Sequence, residues 1–260
     1  PIACTITKSS DTLFTSIPLE RDQVRSAFTG TLIINLILAT LACNPPERAE
    51  TSQPIITAQS VLSATKGYMS SVQSLEFELI HGHGSTAIMP GITTTEIHGS
   101  TIFPDKAQFL IRALSSDFGI ALDMEVIIDG PNSYITNPIS GTWEPMGILS
   151  LPIQFTKLRT AIISLIETIE SPELVSISGT DGATLTRITG KVSLSTLKPL
   201  IPVAKDSGLV DVIMDINSDG TIQQLTLTGA IMPNDDHNVI RIIGFTDFDS
   251  QVAIVAPSEK

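Results

Sequence analysis

Two hydrophobic periodicities divide the chain after residue 55. In ITAQSVLSATKGYMSSV, Ile56, Val61, Leu62, Ala64, Met69 and Val72 recur at roughly helical spacing, which predicts a helix over about 55–71. Alternation then takes over. Leu75, Phe77 and Leu79 share one face of QSLEFELIH while Glu76 and Glu78 take the other, the pattern of a half-buried strand. Further strands are predicted in ITTTEIHGSTIF, AQFLIRAL, GIALDMEVIID and SYIT, and in GIALDMEVIID the apolar face carries Ile120, Leu122, Met124, Val126 and Ile128. The connections hold Gly, Pro, Asn or Asp, which supply the backbone angles of tight turns, so the strands should pair antiparallel.

The meander breaks at Gly141-Thr142-Trp143-Glu144-Pro145. FTKLRTAIISLIETIE then reads as a second helix with Leu158, Ile162, Ile163, Leu165, Ile166 and Ile169 apolar. Strands resume in LVSISG and, after the turn Thr180-Asp181-Gly182, in ATLTRITGKV; SLSTLKPLIPVA follows as a short helix with Ser193 as its candidate cap. LVDVIMDIN, the turn Ser218-Asp219-Gly220, TIQQLTLTG and VIRIIGFTDF complete the pattern. About nine or ten strands and three helices, without a repeat, describe one α+β domain over 55–255 with a long antiparallel sheet.

Ahead of this domain the chemistry changes. SAFTGTLIINLILATLA, residues 26–42, carries no charge and follows Arg21 and Arg25, the layout of a signal segment over 1–42. Its leader is atypical, mixed in charge and opening at Pro1, so the natural start is expected elsewhere. Cys43 comes next, then the proline-rich polar stretch NPPERAETSQP, which suits a flexible tether over 43–54. Ala42 is the small residue expected before a lipidated cysteine, although Thr40 stands where a lipobox has Leu. The expectation is an acylated, palmitate-bearing Cys43 that holds the domain on the outer face of the cell membrane, in the periplasmic or extracytoplasmic space. An uncleaved signal anchor and a secreted protein cut nearby are the alternatives. Cys4 and Cys43 are the two cysteines, so a chain cut at Cys43 has no internal disulfide.

Acidic residues outnumber basic ones, 27 to 15, which disfavours a nucleic-acid partner. Hydrophobics reach 42% with only 5% aromatics, an aliphatic inventory that suits either a dense core or a cavity for alkyl chains. Candidate chemistry is sparse. Asp215-Ile-Asn217-Ser-Asp219-Gly220 copies the start of a calcium loop, but Thr226 takes the place of the required Glu and the flanks alternate, so a hairpin turn is expected. His81 and His83 would share one strand face, yet with His98 and His237 they complete no zinc pattern. Asp235-Asp236 beside Asn234 has turn composition. No GxSxG elbow or phosphate-binding glycine loop is present, so neither catalysis, a metal nor a cofactor is expected.

The succession LEFELIHG, FPDKAQFLIRAL, DMEVIIDGPNSYIT, GTWEP, TRITGKVSLSTLKPLI and INSDGTIQQLTLTG resembles the LppX/LprA/LprG/LprF family of bacterial lipoproteins over about residues 56–250. Its most specific pieces are the strand-turn-strand ending at Tyr134 with the following Trp143, and the stretch 186–192. The resemblance implies a strongly curved antiparallel half-barrel with helices on its concave face, enclosing a large apolar cavity. It implies an acylated lipid or glycolipid as cargo, carried between membranes by a monomer, with a membrane lipid exporter as a candidate partner. On that basis the candidate cavity-lining residues are Leu75, Phe77, Leu79, Phe109, Ile111, Ile120, Leu122, Met124, Val126, Met214, Leu225 and Leu227. A structural or regulatory envelope lipoprotein without cargo, and a LolA/LolB-like carrier of other lipoproteins, are the competing expectations.

Overall fold

The computed structural model describes residues 56–147, 151–178 and 184–257. Cys43, the segment 1–42, the tether 43–54 and the turn at Thr180-Asp181-Gly182 lie outside the described residues. None of the described helices is long and apolar enough to cross a membrane.

Helix α1 runs Ala58–Ser71. Its start is set by a capping box, in which Ser60 N–H donates to Thr57 Oγ1 (3.1 Å) and Thr57 N–H to Ser60 Oγ (3.0 Å). Strands β1 (Ser74–His83), β2 (Thr86–Met89), β3 (Ile92–Ile102), β4 (Lys106–Ser115), β5 (Ala121–Asp129), β6 (Asn132–Thr136) and β7 (Trp143–Pro145) follow. A 3-10 turn at Phe155–Lys157 leads into α2 (Leu158–Thr168), and then come β8 (Glu170–Ser178), β9 (Thr184–Ser193), α3 (Leu194–Leu197), β10 (Leu209–Ile216), β11 (Ile222–Thr228) and β12 (Ile240–Thr246). Sequence periodicity passes over β2 and β7, which are too short to show alternation. The predicted helix over 193–204 contracts to α3, because Pro199 and Pro202 cannot continue a helical hydrogen-bond ladder. Strand β8 starts earlier than expected and takes in Pro172, which an edge strand tolerates.

All pairings are antiparallel, in the order β7-β6-β5-β4-β3-β1-β12-β11-β10-β9-β8, with β2 added to β3. Two meanders thus meet at the central β1–β12 pair, where Phe77 lies opposite Phe245. The sheet is open, with β7 and β8 as its edges. Between these edges, residues 151–169 run across the buried face. There Leu151, Ile153, Phe155, Leu158, Ile162, Leu165 and Ile166 join a single core cluster with residues from β1, β3, β4, β5, β9, β10, β11 and β12. A flat sheet of this order would be roughly 50 Å wide at about 4.8 Å per strand, far more than three short helices about 10 Å across could cover. Since one face stays buried from β5 round to β9, the sheet must curl about its helices, giving the half-barrel.

Aromatic packing fixes the crossover. The Phe155 ring stacks on Phe77 of β1 (centroids 4.2 Å apart, planes at 12°) and meets Phe109 of β4 at 4.9 Å. Arg159 in the next turn of α2 donates from Nη1 to the Val72 carbonyl (2.6 Å) and lies 4.8 Å from the Phe103 ring, tying α2 to the end of α1. The outer face is polar: Glu96 pairs with Arg112 at 2.9 Å across β3 and β4.

Gly99 of β3 lies opposite Phe109, and a Cβ there would stand 2.2 Å from the Gln108 carbonyl oxygen and 2.5 Å from Phe109 Cα. Backbone cannot yield as a side chain does. Gly99→Ala is therefore expected to lower the unfolding free energy by about 3 kcal/mol or more. Gly67→Ala, in the exposed interior of α1 with open space around it, should raise it by about 0.5–1 kcal/mol. Urea unfolding of the two variants checks both signs.

Candidate functional site

Alternation places Leu75, Phe77 and Leu79 of β1, Phe109 and Ile111 of β4, Met124 and Val126 of β5, Met214 of β10, and Leu225 and Leu227 of β11 in the core, on the face that carries the helices. Leu122 is only half-buried, and Ile120 is 49% exposed. Ile120 does not belong with the others because the strand starts one residue later. Ser115 N–H donates to the Ile120 carbonyl (2.9 Å) and Gly119 N–H to the Ser115 carbonyl (2.8 Å), closing a turn in which Gly119 takes φ +64°. Period-two reading carried the strand's face one step into that turn.

A large cavity is not what the described core residues enclose. Phe155, Leu151 and Ile153 fill the space beneath β3 and β4. What remains is a hollow of about 10 Å³ walled by Ile88, Ile97, Phe109, Ile111, Leu151, Pro152, Ile153 and Phe155, room for about one water. Phe155 is three residues before Leu158, on the same helical face, and that spacing was the signal for including it in the apolar stripe.

A larger space opens at one end of the sheet. A groove of about 640 Å³ runs between the β2 strand and β2–β3 turn on one side and residues 232–236 on the other, with Pro152 and Val203 also on its walls. This is within the range of small-molecule sites. Ile88 and Pro152 wall both the groove and the inner hollow, so a two-residue partition separates the surface from the aromatic core. Sequence reasoning missed the groove, since it is built mainly from a short strand and several connections far apart in the chain. The Asn234-Asp235-Asp236 turn was its trace.

Polar chemistry collects under one wall. Arg241 of β12 is 1% exposed; its Nη2 donates to both Asp235 carboxylate oxygens (2.8 Å each) and its Nε to Thr86 Oγ1 (2.9 Å). Asp235 Oδ2 also accepts the Ile231 and Met232 N–H groups at 2.9 and 2.8 Å. Burial draws the guanidinium below its ordinary value, opposed by the Asp235 charge. The pair pins the loop before β12 to β2. A buried pair of this kind adds little net stability, yet removing one partner would strand the other charge.

Thr86 Oγ1 lies 2.8 Å from His81 Nε2. With Arg241 donating to the hydroxyl, the hydroxyl proton is free for an unprotonated Nε2. His83 pairs instead with Asn238 (3.1 Å), beyond an irregularity in the β1–β12 register between His81 and His83. The two imidazoles therefore serve different partners, and no group of three metal-ligating side chains occurs among the described residues. Asp215 is bound by Arg187 through two bonds of 2.7 Å, and Asp219 accepts the Thr221 N–H and hydroxyl. That segment is the β10–β11 hairpin turn.

Burial, and then the Arg241 charge, hold His81 below its ordinary pKa of 6.5. The folded protein thus binds a proton at His81 less readily than the unfolded chain. This contribution to stability is full above about pH 6.5 and is lost as pH falls through the lower folded-state value. Urea midpoints measured from pH 7.5 to 5 should decline, and His81→Gln should remove part of that slope.

No family model and no curated protein matches the chain. Solved structures do. Mycobacterium bovis LprF superposes with a TM-score of 0.58 at 13% identity, over 78% of this chain and 97% of LprF. The Mycobacterium tuberculosis lipoprotein LppX gives a TM-score of 0.52 at 15% identity, over 76% of this chain and 98% of LppX. At such identities the likeness lies in the backbone path, and that path is the one derived above from register and burial. The chain has the fold of the LppX and LprF lipoproteins.

Proposed function

We propose that this domain is a lipid carrier of the cell envelope, anchored through an acylated Cys43 and taking the acyl chains of a lipid or glycolipid between its sheet and crossover. The carrying observation is the shared wall of Ile88 and Pro152 between the surface groove and the hollow against Phe109 and Phe155. An acyl chain entering by the groove would push aside Leu151 and Ile153 and lie against Phe109 and Phe155. Relative to water, burying CH₂ groups yields about 0.8 kcal/mol each, on the order of 12 kcal/mol for a chain of about sixteen carbons, and a bilayer returns the same amount. Exposing the two displaced side chains costs about 3–6 kcal/mol, which the lipid's contacts with the protein must offset. Loading from a membrane and unloading into one are then closely balanced, which suits a carrier. The reading assigns the chain binding and transfer between membranes, with no catalytic residue and an exporter in the membrane as its partner.

The filled core also favours a second reading, an envelope lipoprotein that holds no cargo. Uptake separates them. The delipidated protein, offered a diacylated glycolipid and examined by native mass spectrometry, is expected to gain one lipid mass. Ile153→Ala should load more readily, and Phe109→Trp or Met124→Trp less readily, while all three stay folded. Failure of both the wild type and Ile153→Ala to load would leave the cargo-free reading. For the anchor, intact mass measurement of the membrane-extracted form is expected to find Cys43 as a diacylated N-terminus; an unmodified Cys43 inside a longer chain overturns that attachment.

A further inference from the structure

The two ends of the sheet differ in the chemistry of their turns. At the end away from the groove, the turns carry Asp105 and Lys106, Asp129, Asp219, and Asp247 and Asp249. At the groove end, the β4–β5 turn projects Phe118, 79% exposed, and Ile120, 49% exposed, while the β2–β3 turn presents Met89 at 39%. Ser116 N–H donates to the Gly91 carbonyl (2.8 Å), holding these two turns side by side. Met89, Pro90 and Gly91 line the groove, as does Val203 at 48% exposure. An apolar lip therefore borders the groove. Asp235 and Asp236 stand on the wall across from it, and no Lys or Arg is among the lining residues.

We propose that this lip is a bilayer-docking surface whose partner is an electrically neutral lipid surface. The residues of its tips, Met89–Gly91 and Phe118–Ile120, carry no charge of their own, and the Asp117 carboxylate beside Gly91 limits them to shallow entry into the headgroup boundary, where that carboxylate keeps its water. Interfacial segments that bind anionic lipid do so with Lys and Arg. Here Asp117 flanks the tip and Asp235 and Asp236 face it, outnumbering Lys205 near Val203, where Lys198 is paired with Asp206; with a formal net charge of −12 on the chain, an anionic surface is repelled. Scattered exposed apolar residues are ordinary on any protein; these sit on adjoining turns around a single opening. Docked this way, the groove mouth meets the membrane and an acyl chain passes between them without crossing water. That purpose rests on the carrier reading above, whereas the docking itself can be measured apart from it.

The test uses the full-length chain in a Trp143→Phe background, which removes its one tryptophan. Phe118→Trp places a probe on the lip, and Ser218→Trp places one on the exposed β10–β11 turn at the opposite end. With phosphatidylcholine vesicles, the Phe118→Trp emission is expected to move to shorter wavelength and the Ser218→Trp emission to stay unchanged; adding phosphatidylglycerol at low salt should reduce the first shift. No shift at Phe118→Trp, an equal shift at Ser218→Trp, or a larger shift with phosphatidylglycerol overturns the proposal. Phe118→Asp should slow lipid uptake from vesicles roughly tenfold, from the lost burial of one ring, and leave uptake from detergent-dispersed lipid unchanged. Equal slowing from both sources also overturns it. If the wild type takes up lipid from neither source, the carrier reading fails, and docking is decided by the emission shifts alone.

Discussion

The stack of Phe155 on Phe77, with Phe109 closing the third side, is the contact on which the architecture turns. An open sheet whose chain leaves at one edge and re-enters at the other needs a connection across one face, and that connection must stay there. Phe155 supplies the hold. It fastens the start of α2 to β1 at the sheet's centre and to β4 two strands away, so the meanders on either side can curl towards the same helices. The aliphatic residues on the inner faces of β5, β9, β10 and β11 are then buried by curvature rather than by a second sheet.

The same contact shapes the functional question. A carrier of alkyl chains needs apolar volume, and here that volume is occupied by the protein's own crossover. Aliphatic side chains and an acyl chain are close to interchangeable in such a space, since both are driven from water by area and neither needs a directional partner. The partition of Ile88 and Pro152 is thin, and its side chains are apolar. The Arg241–Asp235–Thr86 group joins the two walls of the groove, its charged and hydrogen-bonded contacts pinning the loop before β12 to β2 at Thr86, two residues before Ile88. The frame is held, and side chains within it are what can yield.

Polarity is also divided end to end. Charged turns close the far end, and the groove end exposes Phe118, Ile120, Met89 and Val203 beside an acidic loop. Burial cannot explain such residues, because they contribute nothing to the core. Their arrangement round an opening gives them a common surface to meet.

What the sequence by itself determined was local. Alternation assigned Leu75, Phe77 and Leu79 to one face and Glu76 and Glu78 to the other, turn residues marked the hairpins, and helical spacing located α1 and α2. Each of these follows from neighbours within a few residues, whose side chains a strand or helix places in a fixed direction. The tertiary structure decided everything that depends on partners far along the chain: β1 beside β12, Phe155 against Phe77, and Arg241 reaching Thr86 across 155 positions. It also decided that Ile120 lies in a turn and that the apolar inventory fills the concave face rather than leaving it hollow. Periodicity tells which side of an element is apolar, but not what comes to cover it, because that is settled only when the elements pack.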